Sequence, residues 1–177
     1  MKIVVIGYSG SGKSTLARKL AKKHGIPVMH LDAVHFSAGW TERNAEEKLC
    51  DVENFLNENS SWVIDGNYTK LFYDRRTEEA DMIIMLLFNR FACLKRAYRR
   101  YKKYKGLTRP DMAEGCDEKF DAEFARWILY GGRKKKARDR YKGLAEKYPD
   151  KTVIIKNQRQ LTGFEKENNI IYPHGTP

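Results

Sequence analysis

At 177 residues the chain is long enough for one α/β domain with a real core and short for two. Its apolar fraction of 41% is ordinary, no apolar run approaches bilayer length, and Cys50, Cys93 and Cys116 lack metal-ligand spacing. Together these features exclude a membrane-spanning or disulfide-stapled protein and predict a cytoplasmic one, with no signal peptide and no membrane partner.

In chain order, residues 2–6 read as a first strand, already part of a core. The segment Gly7-Tyr8-Ser9-Gly10-Ser11-Gly12-Lys13-Ser14 follows and matches G-x-x-x-x-G-K-[ST], before a helical pattern over 13–24. Val28 to Leu31 is the second strand. Thr41 or Asn44 can cap a helix reaching about Asn57, with Leu49, Val52, Phe55 and Leu56 as its apolar face. Trp62-Val63-Ile64 is the third strand, ending in Asp65-Gly66. Met82 to Phe88 is an unbroken apolar run, as a central parallel strand buried on both faces requires. Helices are predicted at 90–104, 118–131 and 133–147, and Thr152 to Ile155 is the fifth strand. Strands alternating with helices imply a doubly wound parallel sheet. The predicted organisation is one domain over 1–168, with a helical insertion at about 89–148 and a frayed tail over 169–177.

The strand–loop–helix context gives the glycine-rich segment its chemistry. Glycines let successive backbone N–H groups turn inward around phosphate oxygens, and the helix aims its positive end at the same anion. Gly7, Ser9, Gly10, Ser11, Gly12, Lys13, Ser14 and Thr15 form the predicted cradle for the phosphates of ATP. Lys13 reaches the β/γ-phosphates and Ser14 is placed to ligate Mg²⁺.

In such a sheet ligands sit at the carboxyl ends of the strands. Asp65 ends an apolar run, as a carboxylate holding Mg²⁺ would, so Ser14 and Asp65 are the predicted metal residues. The alternative for Asp65 is a turn aspartate, since Asp-Gly is a common turn pair. Asp32 follows the second strand and has two candidate jobs, general base for an acceptor hydroxyl or second carboxylate near the metal; its alternative is a cap. His35, Gly66 and Asn67 complete the predicted acceptor set with Asp32 and Asp65. A lone histidine beside Phe36 is more often packed than functional.

The net charge of +11 is local. Residues 89–110 hold nine Lys/Arg and no acid, and residues 133–142 hold seven with one acid, so the remainder is net acidic. In the helix at 90–104, Phe91, Leu94, Tyr98 and Tyr101 recur as a core-facing stripe, with Arg96, Arg99, Arg100 and Lys103 mainly elsewhere. The bland reading is a solvated basic face. The sharper one is a lid whose arginines, Arg96 and Arg100 among them, clamp a transferring phosphoryl group alongside Lys13. A protein acting on DNA through this charge is the competing reading, although no helix-turn-helix or zinc signature accompanies it.

The pattern GYSGSGKST, LDAVHF, WVIDGNY, a basic helix and TRPDMAEGC resembles bacterial proteins known as DNA topology modulation proteins, to about Phe164. More broadly it is similar to the adenylate kinase and shikimate kinase group of P-loop kinases. The resemblance implies a three-layer α/β P-loop NTPase fold, a five-stranded parallel sheet in the order 2-3-1-4-5, and a helical lid between strands 4 and 5. It also implies ATP and Mg²⁺ as cofactors and a small-molecule acceptor, in a monomer or dimer. Asp65-Gly66 falls where adenylate-kinase-like enzymes carry an Asp-Gly pair, Asp32 where shikimate-kinase-like enzymes carry an acceptor-side aspartate, and Arg109-Pro110 resembles a lid Arg-Pro pair. The adenylate kinase pattern continues Asp-Gly with Phe-Pro-Arg, whereas Asn67-Tyr68 stand here, leaving Arg75 or Arg76 as substitutes for its nucleotide-gripping arginine. Asn157 to Gln160 lie where adenine contacts are expected.

Overall fold

The computed structural model describes residues 1–170. In chain order the elements are β1 (Lys2–Gly7), α1 (Lys13–His24), β2 (Val28–His30), α2 (Leu31–His35), β3 (Phe36–Ser37), β4 (Thr41–Glu42) and α3 (Ala45–Glu58). Then come β5 (Trp62–Asp65), α4 (Tyr73–Glu79), β6 (Met82–Leu86), α5 (Arg90–Tyr104), α6 (Ala122–Leu129), α7 (Lys135–Lys147), β7 (Thr152–Ile155) and α8 (Gln158–Glu167).

Five strands form one parallel sheet, β2-β5-β1-β6-β7, with β1 at its centre. The labels differ from the expected 2-3-1-4-5 because β3 and β4 pair with each other as a separate antiparallel ribbon, adding two strands to the count. Side chains alternate across a strand, and β1 uses this to fill two cores. Ile3 and Val5 face a cluster with Leu16, Leu20, Ile128 and Phe164, so α1, α6 and α8 cover that face. Val4 and Ile6 face Val52, Leu56, Tyr141 and Leu144, so α3 and α7 cover the other. Each fully buried aliphatic side chain stabilises by about 1.5–3 kcal/mol. Burial on both faces is therefore what holds β1, and the loop leaving it, in place.

Helix α3 starts at Asn44, whose side chain accepts from the Glu46 N–H. Its apolar face is narrower than expected, since Leu49 is exposed while Val52 and Leu56 are buried. The stripe expected on α5 holds only in part, with Leu94 packed against the core. Phe91 is 71% exposed and Tyr98 45%, and the buried positions are Cys93 and Ala97. The reason is distance: small side chains let α5 approach the loop after β1, which bulky ones would hold away. Of the tail expected from residue 169, Ile170 packs into the core against which α8 lies, and residues 171–177 lie outside those described. No helix among the described residues is long and apolar enough to cross a membrane.

Candidate functional site

The loop after β1 enters α1 through Gly12, whose left-handed backbone provides no side-chain cap. The first turn of α1 itself contains no acid, and its N–H groups and positive dipole end stand at the cleft. Gly10 adopts φ +76°, and a Cβ there would lie 2.5 Å from the Cys93 carbonyl oxygen of α5. Only glycine permits both that turn and that approach. Lys13 bends back to donate from Nζ to the Tyr8 carbonyl at 3.3 Å. Ser11 is fully buried, and its hydroxyl has no hydrogen-bond partner among the described residues.

Ser14 donates from Oγ to Asp65 Oδ2 at 2.8 Å, although the two are 51 positions apart. Asp65 is buried at the carboxyl end of β5, and its other oxygen meets His30 Nδ1. The parallel register makes this pair, since His30 at the end of β2 stands opposite Asp65. Sequence reasoning missed His30; its signal was its position at the end of a strand adjacent to the Asp65 strand. A hydroxyl and a carboxylate in contact beside an uncapped helix N-terminus are oxygen donors suited to a hard divalent cation carrying phosphate. The Lys13 ammonium, which lines the cleft, fits the same anion.

A cleft of about 1370 Å³ opens over this loop. Ser9, Gly10, Gly12, Lys13, Ser14 and Thr15 line its floor, whereas Gly7 and Ser11 lie beneath the surface. On one side stand Asp32, His35, Phe36 and Tyr68. Tyr68 donates its O–H to Asp32 Oδ1 at 2.8 Å. Burial foremost, then the Asp32 charge, pushes the Tyr68 phenol up, so it stays a donor throughout the working pH range. His35 stacks on Tyr68 with centroids 4.5 Å apart and meets Phe36 edge-on at 4.6 Å. Its pKa is held below the ordinary value by burial and then by Lys48, partly offset by Glu42 and Asp32. A neutral, stacked ring is not an anion clamp at neutral pH.

Two expectations on this side require correction. Asn67, expected to contact the acceptor, instead grips β1: its Oδ1 accepts from the Gly7 N–H at 3.1 Å, and its Nδ2 donates to the Gly7 carbonyl at 2.6 Å. Gly66 lies against Leu31, and neither it, Asn67 nor Asp65 lines the cleft. Nor do Arg75 and Arg76 replace the missing arginine. Arg75 pairs with Glu79 and Asn57. Arg76 is fully buried and donates to the carbonyls of Leu71 and Tyr68, with burial pushing it down to about 10. It fastens the loop bearing Tyr68, a backbone task that apolar neighbours could not perform.

The opposite wall is the chain between β6 and β7. Arg96 donates to the Ser11 carbonyl at 2.5 Å and to Gln158 Oε1 at the start of α8, lying over the Phe88 ring at 4.4 Å. Arg100 pairs with Glu118 at 2.8 Å. Glu118 also pairs with Arg109, which in turn meets Asp111, and all three are buried. Desolvation and then Arg109 lower the Arg100 pKa, against the pull of Glu118. The acids Asp111 and Glu118 were overlooked; their signal was their place just beyond an acid-free basic run. Arg99, Lys103, Arg126 and Lys134 line the same wall and have no acidic partner within 4.0 Å among the described residues. Arg133 turns inward, stacking on Tyr8 at 3.8 Å and donating to the Phe88 carbonyl. Part of the positive charge thus faces the cleft or the core, while Lys135, Lys136, Arg138 and Lys142 stay exposed on α7.

With this geometry, a family model described as AAA domain matches residues 3–125, more than half of the chain. In fold the chain is similar to a shikimate kinase from Acinetobacter baumannii in complex with shikimate, at 14% identity over 95% of this chain and 93% of that one, with TM-score 0.56. It is also similar to an uncharacterized protein from Eubacterium ventriosum, at 19% identity over 96% and 97% of the two chains, with TM-score 0.52. A shikimate kinase from Bacteroides thetaiotaomicron matches at 16% identity over 96% and 98%, with TM-score 0.51. At such identities the likeness is one of fold. No curated protein matches the chain.

Proposed function

We propose, given that the chain belongs to the AAA domain family, that it is a Mg²⁺- and ATP-dependent phosphotransferase acting on a nucleoside, nucleotide or similar small polar metabolite in the cytoplasm. The observation that carries this reading is the Ser14–Asp65 contact at 2.8 Å beside the uncapped start of α1, with Asp32 lining the same cleft. Ser14 and Asp65 would hold the magnesium ion, which supplies neutralisation of charge on the phosphate oxygens. Lys13 stabilises the charge on the transferring group, and the backbone of the glycine-rich loop positions it.

With a hydroxyl acceptor, its oxygen bonds to the γ-phosphorus, the bond to ADP breaks, and the hydroxyl proton passes to Asp32 Oδ2. Tyr68 occupies Oδ1 and keeps the carboxylate turned into the cleft. With a phosphate acceptor, already anionic, Asp32 positions rather than deprotonates. The single domain over 1–168, with the 89–148 insertion closing as a lid, belongs to this proposal, and Arg96 and Arg100 are its candidate clamps.

The test is ADP release from Mg-ATP with separate pools of nucleosides, nucleoside monophosphates and hydroxy-metabolites. One pool stimulates release in the wild type, and Lys13→Ala loses it by roughly a hundredfold to a thousandfold. Equal ADP release with and without every pool contradicts the proposal. A second reading, action on DNA in line with the DNA topology modulation resemblance, rests on the acid-free cations Arg99, Lys103, Arg126 and Lys134. It requires duplex binding that falls steeply with salt; absence of binding near physiological salt removes it.

A further inference from the structure

Four rings follow one another on the wall that carries Asp32: Tyr68, His35, Phe36 and Trp40, all lining the cleft. Tyr68 and His35 stack with centroids 4.5 Å apart. His35 meets Phe36 at 4.6 Å and Phe36 meets Trp40 at 5.4 Å, both in edge contacts. The phosphate chemistry uses Asp32 and its Tyr68 donor, and leaves Phe36 and Trp40 without a task. Lys119 already lies over the Trp40 ring at 5.4 Å, which leaves Phe36 as the platform and Trp40 as its brace.

The brace is built rather than incidental. Trp40 adopts φ +63°, a left-handed backbone that a bulky residue avoids and that persists only where its surroundings impose it. Those surroundings are the β3–β4 ribbon and the segment between α5 and α6. The Gly39 N–H donates to the Gly115 carbonyl at 2.9 Å, and Trp40 Nε1 donates to the Asp117 carbonyl at 2.9 Å. The Cys116 thiol donates to the Ser37 carbonyl at 3.0 Å. Gly115 permits this approach, since a Cβ there would lie 2.8 Å from Ala38 Cβ.

Charge distinguishes this wall from the one opposite. Asp32 has no cation within 4.0 Å among the described residues. The wall's own cations are already paired with acids, Lys48 with Glu42 at 2.7 Å and Arg43 with Asp51 at 2.8 Å. An anionic group seated at Asp32 meets a carboxylate with nothing beside it to offset the repulsion. A hydroxyl there can donate to Oδ2, and a flat ring attached to it can cover Phe36.

We propose that the acceptor is a nucleoside, with its base laid against Phe36 and a sugar hydroxyl presented to Asp32. The inference rests on the phosphotransferase reading above and narrows its acceptor to one class. The hydroxyl oxygen bonds to the γ-phosphorus of ATP, the bond to ADP breaks and the proton passes to Asp32. The products are a nucleoside monophosphate, ADP and a proton. Stacking uses the π-face that every base shares, so the bases are told apart weakly.

The test is ADP release from saturating Mg-ATP with adenosine, cytidine, their monophosphates, ribose and shikimate as separate acceptors. Both nucleosides stimulate release. Ribose, which has hydroxyls and no base, gives kcat/KM lower by roughly tenfold to a hundredfold. Phe36→Leu keeps the apolar bulk and loses the ring, raising the nucleoside KM by roughly tenfold while kcat falls far less; Phe36→Tyr restores the KM. Monophosphates that match or exceed the nucleosides overturn the assignment and leave the phosphotransferase reading standing. Ribose or shikimate matching the nucleosides does the same. A Phe36→Leu loss shared equally by nucleosides and ribose also overturns it, and assigns the ring to holding the ribbon. Release that no acceptor stimulates overturns this inference and the phosphotransferase reading together. The comparison of nucleoside with ribose is made in the wild type, so it decides the matter even where a variant fails to fold.

Discussion

The two walls of the cleft are held by different physics. The floor and the Asp32 wall hang from the ends of β1, β2 and β5, whose side chains fill two cores, and they are fastened by short bonds to backbone: Asn67 on Gly7, Arg76 on Leu71 and Tyr68. The wall formed by α5, α6, the segment between them and the turn after α6 shares the first core through Cys93, Ala97 and Ile128, and is otherwise held by Arg–carboxylate pairs, by cations over aromatic rings and by three long-range contacts with the loop: Arg96 on Ser11, Trp127 on Ser9 and Arg133 on Tyr8. Packing fixes the first wall independently of ligand. The second adds to its share of the core a set of charge pairs and of surfaces that remain partly exposed.

This contrast can be broken at either wall. The largest effect is expected at Asp32. If the acceptor is a hydroxyl, Asp32→Asn lowers kcat by about a hundredfold to ten-thousandfold with stability intact, as measured by steady-state kinetics and thermal melting. A change confined to acceptor KM removes the general base and leaves a positioning carboxylate. On the other wall, Glu118 is buried and pairs with both Arg100 and Arg109. Glu118→Gln leaves Arg100 without a carboxylate and Arg109 with Asp111 alone, and destabilises by about 3 kcal/mol. Hydrogen exchange should accelerate over residues 100–121 while β1 and β5 keep their protection. Equal acceleration in the sheet would contradict the division into two walls.

A smaller effect belongs to Tyr68. Tyr68→Phe keeps the stacking with His35 but removes the hydrogen bond to Asp32. Turnover should fall about tenfold, because the Asp32 carboxylate loses the donor that holds it turned into the cleft. The smallest effect is at His35. Its folded pKa lies below the unfolded value of about 6.5, so the unfolded state takes the proton first. Stability is complete above that value and declines as pH falls below it, until the folded form also protonates. His35→Gln should flatten this part of the stability–pH curve in urea titrations.

What was legible in the sequence follows the same line. The strand before Gly7, the phosphate loop, α1 and Asp65 are local patterns, readable because periodicity and glycine spacing act over a few residues. The contacts Ser14–Asp65 and His30–Asp65 follow once the sheet is assembled, since register alone carries them. The second wall was read as charge without geometry. Helical periodicity alone cannot distinguish a core stripe from a half-exposed aromatic cluster, and here Tyr98 and Tyr101 pack on Phe120. Cys93 and Ala97 face inward because α5 must come close to Gly10, a tertiary requirement with no local signature. Asn67 was assigned to the acceptor from its neighbours in sequence, whereas its amide matches the two backbone groups of Gly7.

The most direct test is the magnesium dependence of ATP binding by isothermal titration, in wild type and in Asp65→Asn. The wild type is expected to bind ATP more tightly with Mg²⁺ than with EDTA. Asp65→Asn should lose affinity by roughly tenfold to a hundredfold in Mg²⁺ and match wild type in EDTA, because only the cation's supporting oxygens are altered. An undiminished response to Mg²⁺ in the variant, or no ATP binding by the wild type, would contradict the assignment of Ser14 and Asp65 to a metal–phosphate site.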